Sequence, residues 1–157
     1  MKVQKILVPI DFSKTSHHAL ACAHSFAETF RAGLFILHVE DLPELNPLNP
    51  SVETLVPSYS ALEEVIKVRH EGSRAKMGQW LEEMRREGVD TSMVFQSGSP
   101  CERIIDVAEE LECDMIIMGT HGRTGFQRLL LGSTAERVVR TSPIPVMTVR
   151  EQTAAET

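Results

Sequence analysis

The chain has 157 residues, with 16 basic and 22 acidic side chains and a net charge of −6. That length suits one domain with a genuine core, and an apolar share of 42 % with a charged share of 24 % excludes a disordered chain. No run of about 18 apolar residues is present to span a membrane, and the acidic balance excludes a nucleic-acid binder that relies on nonspecific phosphate attraction.

Met1-Lys2-Val3-Gln4-Lys5 runs straight into an apolar stretch without the h-region and cleavage site of a signal peptide, so a cytoplasmic protein is expected. Ile6-Leu7-Val8 is a short, continuously apolar run ending at Pro9, the pattern of a strand covered on both faces. Ser13 is placed to cap a helix whose buried face carries Ala19, Leu20, Ala23, Phe26, Ala27 and Phe30, with a stop near Gly33. Leu34 to Val39 forms a second apolar run. Residues 40–58 carry Pro43, Pro47, Pro50 and Pro57, a density that forbids a continuous helix or central strand and marks an inserted loop.

Leu62, Val65, Ile66, Met77, Trp80, Leu81 and Met84 predict a long helix ending by Gly88, with Gly72 and Gly78 weakening its middle. Thr91 to Gln96 is polar enough for an edge strand. Ser99-Pro100-Cys101-Glu102 reads as a capping box with proline in the first turn, continued by Ile104, Ile105, Ala108 and Leu111. Met115-Ile116-Ile117-Met118 is another buried strand opening onto Gly119, and a helix is predicted from Gly132-Ser133 to about Arg140. The last strand, Ile144 to Val149, contains Pro145, which favours a sheet edge.

This alternation predicts an α/β protein with a parallel sheet and helices on both faces. Residues 1–150 form a single domain in this reading, with 151–157 a frayed tail. Cys22, Cys101 and Cys113 have no metal-like spacing and are expected as buried, reduced thiols. His17, His18, His24 and His70 are dispersed and expected at the surface.

In an open parallel sheet, ligands bind beyond the carboxyl ends of the strands, where strand order reverses. Pro9-Ile10-Asp11-Phe12-Ser13 follows the first strand, and Gly119-Thr120-His121-Gly122 follows the fourth. Gly132-Ser133-Thr134 then opens a helix with unpaired backbone N–H groups, the positive end of its dipole and two hydroxyls, a combination that suits phosphate. Asp11 serves either as a ligand contact or as a helix-capping group. Arg123 and Arg128 either neutralise phosphate or keep the turn soluble.

Pro9-x-Asp11 after the first strand, His38-Val39 ending the second, Gly119-x2-Gly122-x9-Gly132-Ser133 after the fourth and Ser142-Pro143-Ile144-Pro145-Val146 together resemble the universal stress protein family. The resemblance covers about residues 3–150, and its glycine spacing is that family's nucleotide-binding signature. It implies a Rossmann-like open five-stranded sheet of order 3-2-1-4-5, usually dimeric, with ATP between the ends of strands one and four. By position, Asp11 and Val39 would face the adenosine end, with Pro9 lining the pocket. Met118 and Gly119 would lie near the ribose, and Gly122, Gly132 and Ser133 would hold phosphates, with Thr134 beside them. Some nucleotide-binding members place a hydroxyl where Ala135 stands.

The chain has no G-x-x-x-x-G-K-[ST] and no G-x-G-x-x-G after the first strand, so it matches neither a P-loop NTPase nor a dinucleotide-binding fingerprint. Ser133 has no evident base, and His121 reads as a loop histidine or a phosphate contact. No catalytic residue and no metal site of the protein's own is assigned. The leading reading is a regulatory protein of the stress response that binds ATP, ADP or AMP. Its alternatives are a slow ATPase, using magnesium carried in by the nucleotide and water positioned by His121 or Asp11, and a dimeric interaction module that does not use nucleotide. The apolar edge strand predicts a homodimer through 144–149. Residues 119–150 hold five arginines and one acid, a balance of +4 in an otherwise acidic chain, and they coincide with the phosphate turn, its helix and the last strand.

Overall fold

A computed structural model of the chain describes residues 2–41, 59–86, 88–120 and 131–150. In chain order these form β1 (Lys5–Ile10), α1 (Lys14–Phe30), β2 (Gly33–Glu40), α2 (Tyr59–Arg86), β3 (Thr91–Ser97), α3 (Pro100–Glu110), β4 (Met115–Gly119), α4 (Ser133–Thr141) and β5 (Val146–Val149). All pairings are parallel, in the order β3-β2-β1-β4-β5. The Pro-rich stretch beyond Asp41, His121, Gly122, Arg123, Arg128 and the tail lie outside the described residues.

Successive strand residues point to opposite faces, so the sheet feeds two apolar layers. Ile6, Val8, Ile10, Leu34, Ile36 and Ile117 pack with α1 and α2 through Ala19, Leu20, Ala23 and Met77. Leu7, Leu37, Ile116 and Met118 pack with α3 and α4 through Ile104, Val107, Ala108, Ala135 and Val138. Fully burying a Leu or Ile stabilises by about 1.5–3 kcal/mol, so a one-residue slip of a central strand would exchange these layers at prohibitive cost.

Ser13 caps α1 as expected, its hydroxyl accepting from the Ser16 N–H. The helix stops near Gly33, as expected, with Arg31 as the cap that turns left-handed at φ 55°. The Ala32 N–H then closes onto the Ala27 carbonyl at 2.9 Å, and Gly33 is free to open β2. Phe30 lies half-exposed rather than on the buried face. His24, expected at the surface, is buried where α1 packs across the sheet, its Nδ1 3.7 Å from Glu28 Oε2.

α2 runs through both glycines without a break, anchored by buried Met77 and Met84. The capping box at Ser99 does not form: its side chain makes no capping bond, and Pro100 alone starts α3. β5 begins at Val146: Pro145, just ahead of it, has no N–H to donate to the ladder, though its carbonyl accepts from the Ile116 N–H at 2.9 Å. Glu40, assigned to the loop by composition, extends β2 because it pairs in register with Ser97 and accepts from the Gly98 N–H. Cys101 and Cys113 are buried, whereas Cys22 is half-buried.

Candidate functional site

β1 pairs with β2 along all six of its residues but with β4 only at Ile6↔Met115 and Leu7↔Ile116. Beyond Leu7 the two central strands part, which is where strand order reverses. A cleft of about 450 Å³ opens there, within the range of small-ligand sites. Pro9, Asp11, Val39, Met118, Gly119, Gly132, Ser133 and Thr134 all line it, so the structure brings together every expected site residue except Gly122, which is not described.

The loop after β1 is fixed residue by residue. His38 Nδ1 lies 2.9 Å from the Ile10 carbonyl oxygen. A carbonyl can only accept, so the imidazole carries its proton on Nδ1. Asp11 Oδ1 accepts from the Ser13 N–H at 3.0 Å, and Ser13 begins α1. Asp11 is not the cap of α1, a place that Ser13 takes; its carboxylate shapes the turn ahead of that cap and lines the cleft.

Across the cleft, β4 ends in Met118 and Gly119. Thr120 follows, buried, with its N–H on the Val149 carbonyl at 2.9 Å and its own carbonyl accepting from the Gly132 N–H at 2.7 Å. The first bond ties the end of β4 to β5, and the second brings the start of α4 to it, although Gly132 lies twelve positions beyond Thr120 in the chain. Gly132 is the N-cap of α4 and has no side chain to offer, so no side-chain oxygen of the cap occupies the first-turn N–H groups. They and the Ser133 and Thr134 hydroxyls form the donor-rich end of the cleft. Ala135, buried, lines it without a hydroxyl.

The opposite end is acidic. Glu40 and Asp41 at the end of β2 join Asp11 there, and Ser73 reaches it from α2. Glu40 is only 5 % exposed, and its Oε2 stands 2.6 Å from His70 Nε2, which ties β2 to α2. Sequence reasoning missed Glu40 and Ser73. Glu40 was hidden by the proline-rich composition that follows it, and Ser73 by its position in a helix with no local signal. Arg137, Arg140 and Arg150, part of the basic segment, are exposed and do not line the cleft.

A ligand with hydroxyl or amino donors at one end and an anionic group at the other matches this polarity. A nucleotide has that form, since ribose and base donors can meet carboxylates while phosphates meet helix N–H groups. Among the described residues, no group of three or more His, Cys, Asp or Glu side chains is placed to hold a metal. No helix among them is long and apolar enough to cross a membrane.

Residues 2–150 match the family model described as the universal stress protein family. Universal stress protein MJ0531 of Methanocaldococcus jannaschii is 32 % identical, covering 94 % of this chain and 82 % of its own. Universal stress protein MJ0577 of the same organism is 33 % identical over 95 % and 96 % of the two chains. Its solved structure superimposes with a TM-score of 0.80, covering 98 % of this chain and 100 % of that one at 31 % identity. UspA of Lactobacillus plantarum gives the same TM-score at 25 % identity, over 96 % and 99 %. With the parallel sheet, its strand order and the family match all in agreement, the chain belongs to the universal stress protein family.

Proposed function

We propose that the protein binds an adenine nucleotide, ATP, ADP or AMP, in this cleft and acts as a nucleotide-responsive regulator in the cytoplasmic stress response. The observation that carries the reading is the polarity of the cleft, with Asp11, Glu40 and Asp41 at one end and the uncapped first turn of α4 at the other. In this reading Asp11 and Val39 face the adenosine and Pro9 lines its pocket. Met118 and Gly119 lie near the ribose, and Gly132, Ser133 and Thr134, with Gly122, hold the phosphates. Magnesium enters, where it is used, with the nucleotide.

Two proteins of this fold give the choice of base some support. A universal stress protein at 22 % identity was solved in complex with cAMP, and one from Archaeoglobus fulgidus at 20 % in complex with dAMP. Mass spectrometry of ligand released from freshly purified protein tests the reading. An adenine nucleotide, seen also as a 260 nm shoulder lost on denaturation, supports it. Protein that carries none and takes up none favours an interaction module instead.

A homodimer through β5 belongs to the same proposal. β5 lies at a sheet edge beside β4, and all four of its residues are partly exposed, so its outer backbone groups and apolar side chains favour a second copy. A dimeric mass by light scattering at micromolar concentration is expected, and a monomeric mass counts against it.

A further inference from the structure

Phe12 stands between Asp11 and Ser13 with φ at 65°, a left-handed conformation that bulky L side chains avoid. Glycine would adopt it freely, so the surroundings must hold a phenylalanine there. Its ring lies 4.7 Å from the His38 ring and 5.7 Å from the Trp80 ring, centroid to centroid, and Lys76 Nζ sits 5.4 Å from its centre. His38 is 4 % exposed, bound to the Ile10 carbonyl and met on another side by Phe95 at 6.3 Å. Trp80 is met edge-on by His17 at 5.2 Å.

The residues flanking Asp11 are therefore tied on both sides. Ile10 is held through its carbonyl by His38, and Phe12 through its ring by His38 and Trp80. The ring packs against the α1–α2 layer of the core, while Asp11, one residue earlier, lines the cleft. A strained turn locked by aromatic packing is a means of presenting a neighbouring carboxylate in one orientation.

We propose that Phe12 is a positioning residue for Asp11: its ring, seated between His38 and Trp80, holds the left-handed turn that presents the Asp11 carboxylate to the ligand. This rests on the cleft being the nucleotide site. Titration calorimetry of the full chain with ATP compares wild type, Phe12→Leu, Phe12→Tyr, Asp11→Ala and the Asp11→Ala/Phe12→Leu double variant, with a melting curve for each. Phe12→Leu is expected to weaken binding by about tenfold, in the range of coupled neighbours, while Phe12→Tyr, which keeps the ring, binds as wild type does. The double variant binds no more weakly than Asp11→Ala, because nothing is left to position.

Unchanged affinity in Phe12→Leu, or losses that simply add in the double variant, overturns the positioning role and leaves the nucleotide site standing. Wild type that binds no ATP overturns the site and the proposal together, and an unaffected Asp11→Ala overturns the part assigned to Asp11. If Phe12→Leu does not fold, Trp80→Leu removes the ring behind it and enters the same cycle with the same outcomes.

Discussion

A β-carbon built on Gly119 would stand 2.9 Å from the carbonyl carbon of Thr15 and 3.1 Å from the amide nitrogen of Ser16. The first turn of α1 thus presses backbone against the end of β4, and a side chain at position 119 would force the two apart. The glycine serves packing as well as lining the cleft.

Gly119→Ala is expected to cost about 1–3 kcal/mol by overpacking, lowering the melting temperature by roughly 3–10 °C at this chain length. Gly72→Ala is its control. A β-carbon there meets nothing within 4 Å, and in a helix interior the change stabilises by up to about 1 kcal/mol. Equal shifts in the two variants would contradict the close approach of α1.

Asp114 accepts two backbone hydrogen bonds at Oδ2, from the Gln4 N–H at 2.8 Å and the Lys5 N–H at 3.0 Å. These bonds first, and then the charge of Lys5, hold its carboxyl below the ordinary value of 3.8. A depressed folded value means that the stabilisation is complete above the unfolded value and is lost as pH falls through the folded one. Asp114→Asn is expected to melt roughly 2–4 °C below wild type at pH 7, with the gap closing in acid. A gap that persists unchanged at pH 2 would contradict the ionic character of these bonds.

Burial pushes the Cys113 thiol up from 9.0 to about 11, with nearby Lys5 pulling it down and Asp114 pushing it up. The neutral thiol's contribution to stability is therefore complete below 9 and is lost as pH rises through 11. The thiolate is the reactive form, so at pH 8 Cys113 should alkylate on the order of a hundredfold more slowly in the folded protein than in the unfolded chain. Peptide mapping by mass spectrometry reads the two rates, and equal rates would refute the burial argument.

The elements whose signal is local were legible in the sequence. Ile6-Leu7-Val8 and Met115 to Met118 read as buried parallel strands because a sheet covered on both faces needs no alternation. Ser13 read as a cap because its hydroxyl is the nearest acceptor for the first turn of α1. Features that depend on tertiary partners were not legible. The capping box at Ser99 has the right letters, but the side chain makes no capping bond. His24 and Glu40 look like surface residues by type and are buried because of what packs over them. Eight of the nine expected site residues converge on the cleft because glycine spacing and strand ends are sequence-local. Ser73 joins them from a helix whose approach no spacing could reveal.

The central claim is that the cleft between the ends of β1 and β4 holds an adenine nucleotide. Calorimetric titration of the purified chain with ATP and with AMP, beside Asp11→Ala, tests it most directly. Saturable binding tighter than about 1 mM, weakened by the substitution, is the expected result, and no binding of either nucleotide at that concentration would contradict it.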